Sequence, residues 1–238
     1  MIGSQKKYLT TDPADTRGHT PAAAPTHRLQ RSNPMRIIAG SHRGRRILGP
    51  RDADTTRPIT DRVKTALFDR LSVWRILGPD AQAGLENQPA TALDIFAGTG
   101  SLGLEALSRG IDRCIFVEQD RTAVDRLKRN LDDLELADRA QVLQQSALRP
   151  GWARQLVRDP VRVAFVDPPY AMLAKGWPGI AALLTDLAAI AEPDGVLVLR
   201  AEKFATVQLV PGWQAWDRYT YGNQVLYIYQ QPQPTNPA

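Results

Sequence analysis

Five short apolar runs, separated by segments with helical spacing, constrain the fold of this chain more than any other feature. Runs without alternating polar residues are typical of parallel strands buried on both faces. The predicted strands are Ala92–Phe96, Arg113–Val117, Ala140–Gln144, Val161–Val166 and Val196–Arg200. In the clearest helical segment, one face carries Val124, Leu127, Leu131 and Leu134. This alternation predicts an α/β fold with a mostly parallel, doubly wound sheet.

The end of the alternation has a different pattern. Segments Trp213–Tyr221 and Val225–Tyr229 flank Gly222-Asn223, a dipeptide suited to a tight turn. They predict an antiparallel C-terminal hairpin at the edge of the sheet.

The regions outside the alternation differ in composition. Residues 1–34 are rich in Thr, Pro, Ala and Gln without a hydrophobic period, and are predicted to be a disordered N-terminal extension. Met35 is a candidate translation start. Residues 230–238 are a similar polar tail, and residues 78–91 have the composition of a linker. One domain over residues 35–229 is therefore expected.

The start of this domain is expected to contain two elements. Residues 36–51 are predicted to form two short extended pieces joined at Gly44, and a helix is predicted to follow Thr60. The apolar face of that helix would carry Val63, Leu67, Leu71 and Trp74.

Composition argues against several classes of protein. No apolar stretch approaches the ~20 residues that span a bilayer, and residues 1–34 lack the apolar centre of a secretory signal, so a cytoplasmic location is expected. The single cysteine, Cys114, lies in an apolar run and is predicted to pack in the core. The three histidines precede the predicted strands, and no Cys/His cluster has metal-ligand spacing, so no metal is expected.

A glycine-rich turn, residues 97–103 (AGTGSLG), joins the first predicted strand to a helix. Glycines permit a tight turn and a close approach of a ligand to the backbone, and the helix N-terminus offers unpaired N–H groups. Glu118 ends the next strand, where a carboxylate would bind ribose hydroxyls. This arrangement alone fits a nicotinamide cofactor as well as S-adenosylmethionine (SAM). The candidate cofactor-binding residues of the turn are Ala97, Gly98, Gly100 and Gly103.

Asp94, within the first strand, favours SAM. The stretch LDIFAGTG resembles the first motif of SAM-dependent methyltransferases, whose acid helps to order the loop around the methionine end of the cofactor. After the third strand this chain has Ser146-Ala147, where related enzymes often have Asp or Asn before Ala. The resemblance implies that this position contacts the adenine of SAM.

The string Asp167-Pro168-Pro169-Tyr170 directly follows the strand Val161–Val166. Ligands bind beyond the carboxyl ends of the strands in such a sheet, and paired prolines stiffen the loop there. The amino group of a purine is a poor nucleophile because its lone pair is delocalised into the ring. A carboxylate (Asp167) and a backbone carbonyl (Pro168) that accept its N–H bonds would stabilise the pyramidal nitrogen, and Tyr170 would stack on the base.

This string resembles the (Asp/Asn)-Pro-Pro-(Tyr/Phe) motif of amino-group methyltransferases, which act on nucleic-acid bases and sometimes on protein amides. The resemblance implies catalytic roles for Asp167, Pro168, Pro169 and Tyr170. Methylation of a ring carbon normally uses a cysteine nucleophile, and Cys114 is in the wrong strand for that role.

The N-terminal stretch narrows the resemblance. Met35–Gly40 (MRIIAG), Arg43–Arg46 (RGRR) and Arg57–Lys64 (RPITDRVK), with the glycine turn and the tetrad, resemble the RsmD family of bacterial methyltransferases. The resemblance covers roughly residues 35–229. It implies a Rossmann-like class I SAM-dependent fold. It also implies methylation of a guanine N2, of the position-966 type, in 16S ribosomal RNA (rRNA). The substrate would be this rRNA or the assembling 30S subunit, modified by a monomer.

Positive charge is concentrated near the start of this domain. The net charge is +5, and from Arg36 to Arg75 ten Lys and Arg residues stand against four Asp residues. Such a stretch favours contacts with RNA phosphates, although a basic face that serves only solubility is the alternative. Thr60-Asp61-Arg62 would either cover the active site or act only as a helix N-cap. The predicted RNA-binding residues are Arg43, Arg45, Arg46, Arg51, Arg57 and Arg62.

Three other functions fit parts of the sequence. A nicotinamide-dependent oxidoreductase would use the same glycine turn but leaves the tetrad unexplained. A non-catalytic RNA-binding assembly factor on the same fold is disfavoured by the intact tetrad. A DNA adenine-N6 methyltransferase shares the tetrad, but the chain shows no obvious separate DNA-reading domain.

Overall fold

A twisted sheet with helices on both faces organises the domain, as a computed structural model shows. The structure describes residues 35–51, 59–77, 89–156, 161–208 and 210–232. The strands are β1 (Thr91–Ile95), β2 (Arg113–Glu118), β3 (Ala140–Gln144), β4 (Val161–Val166), β5 (Ala191–Glu202), β6 (Gln214–Tyr221) and β7 (Gln224–Gln230). The helices are α1 (Asp61–Val73), α2 (Ser101–Ser108), α3 (Arg121–Asp133), α4 (Tyr170–Lys175) and α5 (Trp177–Ala188).

The described strands form one sheet in the order β3-β2-β1-β4-β5-β7-β6. Strands β1 to β5 pair in parallel, whereas β7 pairs antiparallel with both β5 and β6. The predicted parallel sheet and C-terminal hairpin are therefore confirmed. The strand order reverses beside β1, so the carboxyl ends of β1 and β4 lie next to each other at the point where a ligand cleft opens.

Strand boundaries agree with the sequence prediction to within one residue except at β5. Strand β5 begins at Ala191, five residues before the predicted Val196, because Ala191 already pairs with Val161. Phe96 has a φ of 61° and turns out of the strand instead of ending it. Strand β7 reaches Gln230, so the domain extends one residue past its predicted end. The predicted extension 1–34, residues 78–88 of the linker and residues 233–238 of the tail lie outside the described residues.

Two apolar layers fill the faces of the sheet. One contains Ile37 and Ile47 of the N-terminal segment with the buried faces of α1, α2 and α3, and the other contains α4, α5 and the short 3-10 helix Ala153–Leu156. Alternate residues of β4 serve the two layers: Val163 and Phe165 face the first, Ala164 and Val166 the second. This division is the doubly wound arrangement that the sequence predicted.

The N-terminal segment is a small hairpin fixed to the first layer. Its extended pieces meet at an antiparallel bridge between Arg36 and Arg46, and Gly44 N–H donates to the Ile37 carbonyl across the turn (2.9 Å). The fully buried Glu105 of α2 accepts hydrogen bonds from the backbone N–H groups of Ile38 (2.8 Å) and Ala39 (3.0 Å). The segment therefore depends on a buried carboxylate for its position.

A second contact secures this segment near the glycine turn. The buried Asn130 of α3 accepts from the Leu48 N–H (2.7 Å) and donates to the carbonyls of Leu48 (3.1 Å) and Thr99 (3.0 Å). One amide thus joins α3, the N-terminal segment and the loop after β1.

No helix in the described ranges combines the length and apolarity needed to span a membrane.

Candidate active site

A cavity of about 640 Å³ lies at the carboxyl ends of β1, β2, β4 and β5. That volume is within the range of small-molecule sites. Its walls come from the glycine turn after β1, the residues that follow β2, and the tetrad after β4. The Asp167 N–H donates to the Ile95 carbonyl at 3.2 Å, which holds the tetrad against the end of β1. The structure therefore brings together the two motifs that the sequence placed far apart.

The glycine turn has the geometry of a ligand-binding loop. Gly98 has a φ of 55°, and a Cβ added there would meet nothing within 4 Å, so this backbone faces open cavity. Asp94 and Ala97 line the same wall. The close approach of a ligand to the backbone at Gly98 therefore requires a residue without a side chain.

Gly100 and Gly103 have a different role. A Cβ at Gly100 would lie 2.4 Å from Leu127 Cδ1, and a Cβ at Gly103 would lie 2.3 Å from Phe116 Cε1. Neither residue is among those that line the cavity. Both were predicted to bind cofactor, but the structure places them where α2 packs tightly on α3 and β2. Because they lack a side chain, α2 can pack closely against α3 and β2.

Asp94 connects the strand to the helix. Its carboxylate is buried and accepts a hydrogen bond from the Gly103 N–H at 2.8 Å. Burial raises the pKa of Asp94 well above its ordinary value, and the hydrogen bond from Gly103 opposes that rise. The acid thus ties β1 to the first turn of α2.

Glu118 ends β2 and closes the next part of the wall. One carboxylate oxygen accepts from the Gly98 N–H (2.9 Å) and the other from the Asp120 N–H (2.8 Å). Each oxygen can accept a further bond, so the carboxylate keeps acceptor sites for ribose hydroxyls. Gln119, Thr122 and Gln145 also line this region and were not singled out from the sequence.

The adjacent residues Ser146 and Ala147 lie in different environments. Ala147 is buried and lines the cavity, whereas Ser146 is exposed and its hydroxyl accepts from the Leu148 N–H at 3.3 Å. Of the two predicted adenine contacts, only Ala147 faces the cavity.

The tetrad carboxylate forms a bidentate ion pair. Arg200 of β5 donates from Nε to Asp167 Oδ1 (2.6 Å) and from Nη2 to Asp167 Oδ2 (2.7 Å). The Asp167 side chain is 18% exposed and the Arg200 side chain 8%. Burial raises the pKa of Asp167, and the guanidinium opposes that rise by favouring the ionised form. Burial alone would lower the pKa of Arg200, but the facing carboxylate raises it.

Arg200 is a site residue that the sequence interpretation missed. It was assigned only as the end of the fifth strand, because 33 residues separate it from Asp167. The available signal was a charged residue directly after a buried apolar run at the carboxyl end of a parallel strand. Its guanidinium carbon also lies 5.7 Å from the centroid of the Tyr170 ring. Arg200 therefore lies next to both end residues of the tetrad, Asp167 and Tyr170.

The rest of the tetrad forms the rim. Pro168 is buried, Pro169 is exposed and caps α4, and Tyr170 begins that helix half-buried. The Pro169 carbonyl accepts from the Met172 N–H at 2.8 Å, which fixes the turn into α4. All four tetrad residues line the cavity.

Comparison with known proteins assigns the family. The sequence profile of the family described as "Conserved hypothetical protein 95", the RsmD family, matches residues 35–230. The chain belongs to the RsmD family. YlbH of Bacillus subtilis (strain 168) is 36% identical over 199 residues, which cover 82% of this chain and 98% of YlbH. Ribosomal RNA small subunit methyltransferase D of Escherichia coli (strain K12) is 39% identical over 139 residues, which cover 58% of this chain and 62% of that protein.

Solved structures agree on the fold. The structure of yhhF from Escherichia coli has a TM-score of 0.65 at 28% identity, and the match covers 85% of this chain and all of that one. An RNA methyltransferase from Salinibacter ruber, solved with S-adenosyl-L-homocysteine, matches with a TM-score of 0.50 at 14% identity. This RsmD-family chain thus has the class I SAM-dependent methyltransferase fold. It is a SAM-dependent rRNA methyltransferase.

The residues of the cavity fit SAM. The open backbone at Gly98 admits a ligand, Glu118 retains acceptor sites for ribose, and Ala147 provides a small apolar contact for an adenine ring. When bound, SAM supplies an electrophilic methyl group on a sulfonium.

The N-terminal segment of this RsmD-family chain presents most of the predicted RNA-binding residues. Arg43, Arg45, Arg46, Arg51 and Arg62 are exposed, and Arg57 lies outside the described residues. Arg51 and Ile59 also line the cavity. The Thr60 hydroxyl accepts from the Val63 N–H at 3.4 Å, so Thr60 caps α1 close to the cavity.

Cys114 has the structural role that the sequence predicted. It is 1% exposed, and burial raises the pKa of its thiol well above the ordinary value. A thiol that stays protonated is a poor nucleophile. Within the described ranges, no group of three or more His, Cys, Asp or Glu side chains has a metal-binding arrangement.

Proposed function

We propose that this chain transfers the methyl group of SAM to the exocyclic N2 of a guanine in 16S rRNA, of the position-966 type, during assembly of the small subunit. The observation that carries this proposal is the Asp167–Arg200 pair, a paired carboxylate at the cavity wall next to the glycine turn. The related small subunit methyltransferase D of Escherichia coli supports the rRNA substrate.

The proposed roles follow from position. Asp94, Ala97, Gly98, Glu118 and Ala147 hold the cofactor, and Gly100 and Gly103 support their loop. Asp167 and the Pro168 carbonyl accept N–H bonds from the target amine, which localises its lone pair toward the methyl group. Pro169 stiffens this turn, and Tyr170 stacks on the extruded base.

We propose that the acting species is a monomer. A precursor of the 30S subunit is encountered in the cytoplasm, so we place the activity there.

Arg45→Ala is expected to weaken binding to 16S rRNA. It should also reduce, by about one, the steepness with which the logarithm of the association constant falls with the logarithm of the salt concentration. Arg45 is exposed and its guanidinium already donates to the Asp133 carbonyl, so it is oriented before RNA arrives. The measurement is the RNA affinity at several salt concentrations. Arg154→Ala is the matched control, because Arg154 is exposed on the opposite layer and pairs with Asp186. Equal slopes for the two variants would remove Arg45 from the interface.

Arg200→Gln is expected to move the acidic limb of the pH–kcat profile to higher pH. The ionised Asp167 carboxylate accepts N–H bonds more strongly than the protonated acid, so activity falls as the pH drops through its pKa, and removal of the guanidinium raises that pKa. Arg200→Lys restores a cation and should move the limb back. Arg162→Gln, which breaks a similar buried pair with Glu192 (3.0 Å), should leave the limb in place. An unshifted limb in Arg200→Gln would exclude this electrostatic role.

The function itself is tested with labelled SAM and three acceptors: unmodified small subunits, naked 16S rRNA and duplex DNA, followed by nucleoside analysis. N2-methylguanosine from subunits or RNA is the expected product. N6-methyladenine from DNA would replace the substrate assignment with that of a DNA methyltransferase. No transfer despite SAM binding would favour a non-catalytic assembly factor.

A further inference from the structure

A second cavity, of about 430 Å³, adjoins the tetrad. It lies between α4, the start of α5 and the loop after β5, and Tyr170 lines both this cavity and the first one. Its aromatic walls are Tyr170, Trp177 and Phe204, and its polar positions include Glu202 and Thr206. Because Tyr170 lines both cavities, a ligand with one group in the first cavity can place its next group in the second.

Phe204 is the unusual feature of this cavity. Its side chain is 85% exposed, the largest value among the exposed large apolar residues of the described ranges. Two hydrogen bonds fix the turn that carries it: Lys203 N–H donates to the Asn223 carbonyl (3.0 Å) and Ala205 N–H to the Glu202 carbonyl (3.0 Å). The fold thus fixes the backbone that carries this exposed ring, and Lys203 Nζ lies 5.7 Å from the ring centroid.

The chemistry of the walls favours an unpaired nucleobase over an apolar peptide. A base stacks on an aromatic face and keeps polar edges for side chains such as Glu202 and Thr206, while its phosphate would lie near the exposed Lys203. An apolar partner would bury Glu202 and Lys203 without satisfying them. Because Tyr170 lines both cavities, the base in the second cavity would belong to the same RNA strand as the target base.

We propose that this second cavity binds the base of a nucleotide adjacent to the target, stacked on Phe204. The proposal rests on the proposed function, since it requires an RNA substrate whose target base enters the first cavity. It makes Phe204 a substrate-binding residue outside the tetrad.

Phe204→Ala is expected to raise KM for 16S rRNA about tenfold, with kcat and SAM affinity unchanged, because stacking contributes to RNA affinity and not to the chemical step. Phe204→Tyr keeps the aromatic face and should retain the wild-type KM. Val73→Ala is the matched control. Val73 is 79% exposed at the far end of α1, about 20 Å along that helix from its cavity end, and its loss should have no effect.

An abasic substitution in the RNA identifies the occupant. Placed at one of the nucleotides beside the methylated base, it should raise the wild-type KM to the level of Phe204→Ala, with no further effect in that variant. Equal KM values for Phe204→Ala and Val73→Ala would overturn the proposal. A defect seen with assembled subunits but absent with naked rRNA would also overturn it, since the partner would then be a ribosomal protein. If the wild-type protein methylates no RNA, the proposed function itself is wrong. That outcome differs from the two results above, in which the wild-type protein still methylates RNA.

Discussion

Asp167→Ala is expected to lower kcat for methyl transfer by about 100-fold or more, with little change in SAM affinity. In the structure both carboxylate oxygens are already oriented by Arg200 at 2.6 and 2.7 Å, so the acceptor is in place before the substrate binds. A preorganised acceptor stabilises the transition state because it needs no rearrangement as charge develops on the amine. The measurement is single-turnover methylation with saturating SAM and RNA.

Two further variants separate catalysis from folding. Asp167→Ala leaves the buried Arg200 without its carboxylate, which is itself destabilising. The double variant Asp167→Ala/Arg200→Met removes both charges and should fold more stably while remaining equally inactive. Asp167→Asn retains one acceptor oxygen and should lose less activity than alanine. Near wild-type turnover in the double variant, with SAM bound, would contradict the role assigned to Asp167.

Glu105→Ala is expected to lower the free energy of unfolding by about 3–5 kcal/mol, as removal of one partner of a buried ion pair does. Glu105 accepts from two backbone N–H groups of the N-terminal segment, lies 2.9 Å from Arg109 Nε and 3.5 Å from Lys64 Nζ, and its side chain is fully buried. Its loss leaves the buried ammonium of Lys64 without its paired carboxylate and two backbone N–H groups without their acceptor. Urea unfolding monitored by tryptophan fluorescence measures the change.

Asp69→Ala is the control for this prediction. Asp69 also pairs with Arg109 (3.2 Å), but its side chain is 63% exposed, so its loss should cost less than about 1 kcal/mol. Because Glu105 holds the segment that carries Arg43, Arg45 and Arg46, its loss should also weaken RNA binding. Equal changes in unfolding free energy for the two variants would show that burial of Glu105 contributes nothing.

Local patterns were sufficient wherever one residue and its near neighbours decide the structure. Val161–Val166 was predicted with the correct bounds, because a strand buried on both faces is apolar at nearly every position. Its one charged residue, Arg162, is paired with Glu192 at 3.0 Å. The first five residues of β5 were missed because Glu192, Pro193, Asp194 and Gly195 interrupt the apolar pattern at the strand's half-exposed start. There, pairing of Ala191 with Val161 of β4 overrides the sequence preference.

For the same reason, the sequence predicts some parts of the candidate site and not others. Asp167–Tyr170 and the glycine turn are contiguous strings whose residue types suit their chemistry, so the sequence could name them. It could not tell which glycines face a ligand: Gly98 borders open cavity, whereas Gly103 packs on Phe116. That difference depends on which neighbour the fold places behind each Cα.

By itself, the sequence determined the fold class, the order of strands and helices and the two motifs that border the cavity, because hydrophobic periodicity and contiguous residue types are local properties. Only the tertiary structure decided that Arg200 holds Asp167, that Glu105 fixes the N-terminal segment, and that Phe204 projects beside Tyr170. Each of these pairs joins residues more than 30 positions apart, and such contacts arise from strand order and layer packing, which no local pattern encodes.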